Sequence, residues 1–299
     1  MSEGARLSEG ARLSEGVMSS GVIHDIGYQR YTGPRLGRGY VTRSLYLHGL
    51  RTVFGLGRSA KAKIFPWVAV GIVAVVATVL TAVRAQTGRP VLSYADFPGA
   101  VAVLTTLFCA TAAPELVSRD LRGGVLPLYF SRPLRRADYP LAKLAALVSA
   151  VWLMLAGPLT LMFVGGAFSV HGPGAVRDEF LDLLPGLVQS VIYAAVYSSL
   201  ALLVASFAGR RAVAAALVVA VFLVTTPIVG VIGVSGGQAA QQLAFLASPT
   251  TLVQGVGGWL FDVSGSDVGP YGPVYGLAVA GLVAACVLLL LVRYRRVAR

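Results

Sequence analysis

The sequence predicts an all-α membrane protein. Six transmembrane helices follow an interfacial amphipathic helix, and both termini lie in the cytoplasm. Three observations carry this reading. Hydrophobic residues make up 56% of the 299-residue chain and charged residues only 13%, against about 25% charged in a soluble domain. Mean hydropathy is +0.74. Six stretches of about 18 residues or more run without a single lysine, arginine, aspartate or glutamate, and the basic residues fall very unevenly between the segments that join them.

The elements follow in chain order. Residues 2–16 repeat SEGARL twice and begin it a third time; with so little apolar surface to bury they are expected to be disordered. Residues 22–40 are polar, glycine-rich and basic, so residues 1–40 read as a disordered or surface-lying cytoplasmic extension. A domain of residues 41–299 follows. In residues 41–63, Leu45, Leu47, Leu50, Val53 and Phe54 recur at near-helical spacing among Arg43, Arg51, Arg58, Lys61 and Lys63. That pattern predicts a helix lying on the cytoplasmic leaflet, against membrane lipid, with His48 on its polar side.

The expected spans are residues 64–83, 97–114, 144–170, 183–208, 212–234 and 274–292. In lipid every backbone polar group must pair internally, which makes such runs helices. The second span is the weakest, bracketed by Pro98 and Pro114 and diluted by Thr105, Thr106 and Thr111. Thr225 and Thr226 precede Pro227 in the fifth and are placed to re-satisfy backbone near a kink. The connection 235–273 is too apolar for a solvated linker and too interrupted for a span. Short interfacial or re-entrant helices anchored by Trp259 are expected there.

Orientation follows from charge. With both termini inside, the cytoplasmic pieces carry 22 of the 25 lysines and arginines and seven of the 13 acids. The external pieces carry only Arg84, Arg89 and Arg177 with six acids. The net charge of +12 thus divides into +15 inside and −3 outside, which favours this topology and makes the basic surplus an orientation and headgroup signal, not a nucleic-acid footprint. No signal peptide is expected, because the first apolar run starts at Ile64. Cys109 and Cys286 lie within spans and imply no external disulfide. The arginine, alanine and glycine bias, without any asparagine, suggests a high-GC bacterium, and the protein is expected in its plasma membrane as a multi-pass chain.

Several chemistries lack their residues. There is no G-x-x-x-x-G-K-[ST] phosphate loop, three scattered histidines make no metal cluster, and no cofactor is expected. The one G-x-S-x-G match, around Ser235, sits at a span end and lacks the strand-to-helix turn a nucleophile elbow needs. Without ionisable residues at membrane depth, coupling to an ion gradient is disfavoured.

The most informative stretch is the cytoplasmic loop 115–143 between the second and third spans. It gathers Glu115, Arg119, Asp120, Arg122, Arg132, Arg135, Arg136, Asp138 and Lys143. Helix is expected to continue through Arg122, with Glu115 pairing to Arg119 at i+4, and Gly123-Gly124 to break it. Asp138 is placed to cap the next helix by accepting from the amide of Leu141.

In this loop the sequence resembles the permease subunits of type-2 ABC exporters, of an actinobacterial kind. An acidic residue ends the second span, S-R-D-L-R-x-G-x-L follows from Ser118, and S-R-P-L-R-R-x-D-Y-x-x-A-K from Ser131. The six-span layout, the interfacial helix and the S-P-T-T-L at Ser248 agree, so the resemblance covers roughly residues 41–296. It implies the ABC type-2 permease fold and a subunit without its own ATPase site. It also implies a loop that docks on a separate ABC ATPase subunit, and a second permease half, identical or different, completing an export pathway. The residues assigned to coupling are Glu115, Arg119, Asp120, Arg122, Arg132, Pro133, Arg135, Arg136, Asp138 and Tyr139. The competing readings are that these arginines only enforce topology, and that Glu115 makes a local helix pair and no hinge clamp. A membrane scaffold recruiting a cytoplasmic protein without transport is the alternative function. In the fourth span Gln189, Tyr193 and Tyr197 recur at i, i+4 and i+8; they line a substrate path or dimer seam, or simply glue helices.

Overall fold

The computed structural model describes residues 33, 36–57, 60–118, 120, 123–124, 129, 134–235, 237–265 and 268–297. The SEGARL repeat and most of the N-terminal extension lie outside the described residues, as do Arg119, Arg122, Arg132 and Pro133. The part from Leu36 onward forms one compact unit, helical and without a strand among the described residues.

The first helix, α1 (Arg38–Val53), starts three residues earlier than the sequence suggested and buries Leu45, Gly49 and Val53, one stripe at i, i+4, i+8. A Cβ on Gly49 would stand 2.9 Å from that of Ala146, so the glycine is what lets α1 lie close on its neighbour. Gly55 and Gly57, both at positive φ, turn the chain, and the Trp67 indole N–H then donates to the Phe54 carbonyl at 3.2 Å. Next come α2 (Ala60–Thr87), α3 (Phe97–Ala100), α4 (Ala102–Leu116), α5 (Asp138–Ser169), α6 (Pro173–Phe207) and α7 (Arg211–Ser235), then α8 (Gln238–Ala244), α9 (Pro249–Phe261) and α10 (Gly272–Val297).

Five of these, α2, α5, α6, α7 and α10, are long and apolar enough to cross a membrane. Burial sorts them. The most apolar window of α6 is 67% buried and that of α5 50%, against 22%, 17% and 11% for α2, α10 and α7. The hairpin of α5 and α6 is therefore the centre, with the other three around it showing apolar faces outward, as lipid or a partner helix requires.

The second expected span differs. Val101 leaves the helical region at φ −104°, ψ 17° and splits it into α3 and α4. At 1.5 Å per residue the 15 residues of α4 reach about 22 Å, short of a hydrocarbon core of about 30 Å. Its small residues are buried instead: Thr105 and Thr106 bond back to the carbonyls of Val101 and Ala102, and Phe108, Cys109 and Ala113 are fully enclosed. Helix α4 also stops at Leu116 and does not run on unbroken to Arg122. Val117 caps it at φ −122°, and Ser118 turns its hydroxyl to the Ala205 carbonyl of α6, 3.0 Å away.

The connection 235–273 folds into α8, a short 3-10 turn at Phe245–Ala247, and α9. Trp259 of α9 sits over Gly272 and Gly276 of α10, where a Cβ at Gly272 would fall 2.1 Å from the indole. The Thr225 and Thr226 hydroxyls bond back to Val221 and Phe222 ahead of Pro227, and Thr225 also bonds Ser248 at 3.0 Å, tying α7 to the start of α9.

Candidate functional site

The loop residues that remain described converge at the end of the bundle that carries α1 and the start of α5. Asp138 opens α5. It does not cap Leu141, whose amide donates to the Ala137 carbonyl at 3.3 Å. Ala137 already has helical angles, so the Asp138 side chain points back out of the helix, where it accepts from the Arg135 amide at 3.0 Å. It also takes both arms of the Arg38 guanidinium at 2.6 and 2.5 Å. This fork raises the Arg38 pKa above its ordinary value. One carboxylate thus joins the first turn of α1, the residues before α5, and α5 itself.

A second knot lies beside it. Asp120 accepts from the Tyr139 hydroxyl at 2.7 Å and from the Lys143 ammonium at 3.0 Å, with the lysine side chain only 3% exposed. The ammonium also lies 5.5 Å from the Tyr139 ring centroid. The Tyr139 ring packs at a tilt against Tyr129, 5.5 Å away, and against Tyr294 of α10, 5.3 Å away. Glu115 ends α4 in an ion pair with Arg211, the first residue of α7; its expected partner Arg119 lies outside the described residues. The Arg293 guanidinium covers the Phe207 ring at 4.2 Å, joining the ends of α10 and α6. Between the knots, Arg135 and Arg136 are exposed, as is the Gly123-Gly124 turn.

The α6 residues lie elsewhere, deep in the bundle and facing the α8–α9 insertion. Gln189 donates to the Val253 carbonyl at 3.0 Å, Tyr197 donates to Thr250 at 3.1 Å, and the Tyr193 ring packs at a tilt against that of Tyr197. All three are fully buried within this one chain. In this structure they hold α9 against α6; Gly257 is needed there, since a Cβ would meet the Gln189 amide at 2.7 Å.

Sequence reasoning missed the cluster at the opposite end. Arg84, at the end of α2, forks onto Glu179 of α6 with two bonds of 2.6 Å, and the Tyr94 hydroxyl also bonds Glu179. Burial and this carboxylate push the Tyr94 phenol well above its ordinary pKa, so it stays protonated. The available signal was an arginine directly after an apolar span on the side otherwise poor in bases, with an acid beside the fourth span, which starts on that side.

Residues 92–296 match the family model described as ABC-2 family transporter protein. The chain belongs to this family. The match takes in about two-thirds of the chain, including both knots except for Arg38, and begins at Leu92, beyond α1 and α2. No curated protein matches the chain. Membership makes this ABC-2 protein a multi-pass membrane subunit of an ABC transporter. It also implies an ABC ATPase subunit as its partner, with the hydrolytic site on that partner.

Proposed function

We propose that this ABC-2 permease crosses the plasma membrane six times with both termini inside, α3 and α4 together making the second crossing and α1 lying on the cytoplasmic leaflet. Segment 115–143 docks on the ATPase subunit, and two permease halves form an export path. The observation that carries this reading is the fastening of that segment. Its exposed basic residues, Arg135 and Arg136, stand between two knots, Asp138–Arg38 and Asp120–Lys143–Tyr139, that tie them to α1, α5 and α10. A segment that only enforced topology would need the arginines and not the fastening. A push on it is transmitted to whole helices, because the carboxylates leave little slack. Arg119, Arg122, Arg132 and Pro133 belong to the same surface in this reading, Glu115 passes the motion to α7 through Arg211, and the Gln189–Tyr197 seam meets the path when α9 moves.

The test is co-purification with the ABC ATPase subunit in lipid. Arg135→Glu with Arg136→Glu should abolish association and lipid-stimulated ATP hydrolysis while leaving the permease's own melting temperature unchanged, since both side chains are exposed. Unaltered association would reject the docking segment. Association without any ATP-driven transport would support a recruiting scaffold.

A further inference from the structure

Beside the Arg84–Glu179 pair lies a cavity of about 320 Å³, walled by the last turns of α2, residues 90–95, α5, α6 and Phe261. That volume lies at the lower end of the range of small-molecule sites, about 300–1,000 Å³. Its polar groups are nearly all spent. Arg84 and Glu179 saturate each other, Tyr94 adds its hydroxyl to Glu179, and Ser93 donates to Asp96 at 2.7 Å. Asp182 is the exception: it lines the cavity, is exposed, and has no hydrogen bond or ion pair among the described residues. The lining therefore carries one surplus negative charge, set among Leu80, Leu92, Met162 and Phe261. A carboxylate at the edge of an apolar space favours a cation with a hydrocarbon body, and an aromatic ring in the same lining favours the same ligand.

We infer that this cavity binds a small organic cation, an ammonium on Asp182 with its apolar part against Leu80, Met162 and Phe261. An ammonium of this kind comes either from a soluble amine or from a zwitterionic lipid headgroup. The inference does not depend on coupling to an ATPase, and binding is measured on the permease alone.

The probe is benzyltrimethylammonium, titrated calorimetrically into the full chain in phosphatidylglycerol nanodiscs. Each variant is compared in the same discs, so that surface charge cancels. Asp182→Asn should weaken binding roughly fivefold or more, the worth of about 1 kcal/mol for a partly exposed charge pair. Val91→Trp, at an exposed position of the lining, should block binding while leaving the charge in place. Repeating the titration with phosphatidylcholine in the discs separates the sources. Weaker apparent binding with phosphatidylcholine than with an equal share of a non-ionic glycolipid, which gives the same surface charge, identifies a headgroup as the occupant, and equal binding identifies a soluble amine. The inference is overturned if the wild type does not bind the probe, or if either variant binds it as tightly as the wild type.

Discussion

Lys143 sits in the second turn of a 32-residue apolar helix with almost none of its side chain in solvent. A buried ammonium is tolerated only where a counter-charge and further polar contacts stand in for water, and Asp120 and the Tyr139 ring supply both. Lys143→Met should therefore destabilise the permease by about 3 kcal/mol, because it strands the Asp120 carboxylate. The Lys143→Met/Asp120→Asn double variant should recover most of that, as followed by unfolding in detergent. Arg38→Ala should cost less than Lys143→Met, since the Arg38 side chain is half exposed and the Arg135 amide still holds Asp138. At this scale the sequence made the carboxylates legible and not the distant partners they meet among the described residues. Motif spacing pointed to Glu115, Asp120 and Asp138, but local periodicity could pair Glu115 only with a residue four positions away. Arg211 and Arg38 stand about a hundred positions from the acids they meet, a separation that only the packing of α7 and α1 closes.

Among the elements, hydropathy located α2, α5, α6, α7 and α10 within a few residues, except that α5 and α6 begin earlier, at Asp138 and Pro173. Their early turns carry charges a lipid-solubility criterion discards, yet Asp138 and Glu179 are paired inside the protein. The α3–α4 break was not legible, because it depends on Val101 fitting its surroundings and on Thr105 taking up its carbonyl. Helix α2 needs fastening, since only a fifth of its apolar window is buried. Arg84 clamps its end to α6, and Thr81 fills a notch at Gly165 of α5 that no Cβ could share. Glu179→Gln should thus lower stability by about 2 kcal/mol, the cost of leaving a largely buried guanidinium without its counter-charge. Arg84→Met in the same chain should restore part of it; an unchanged melting temperature in Glu179→Gln would show that α2 is held by packing alone.

For the whole molecule, two polar ends are separated by a bundle whose described interior contains few charges, and the ends differ in sign. The end with α1 collects most of the basic residues, including Arg38, Arg135, Arg136, Arg211 and Arg293, while the end with Glu179 also holds Asp96 and Asp182. Moving that many guanidinium groups across a bilayer is the unfavourable insertion, so the proposed orientation keeps the basic end cytoplasmic. Site-directed thiol labelling reads this directly, because the native Cys109 and Cys286 are both buried and give little background. In intact cells a membrane-impermeant maleimide should label Arg89→Cys, which is exposed after α2, and should miss Arg136→Cys until the membrane is permeabilised. The reverse pattern would invert the permease and put segment 115–143 out of reach of ATP. Labelling of both in intact cells would mean an even number of crossings between them, and would remove α3–α4 as a span.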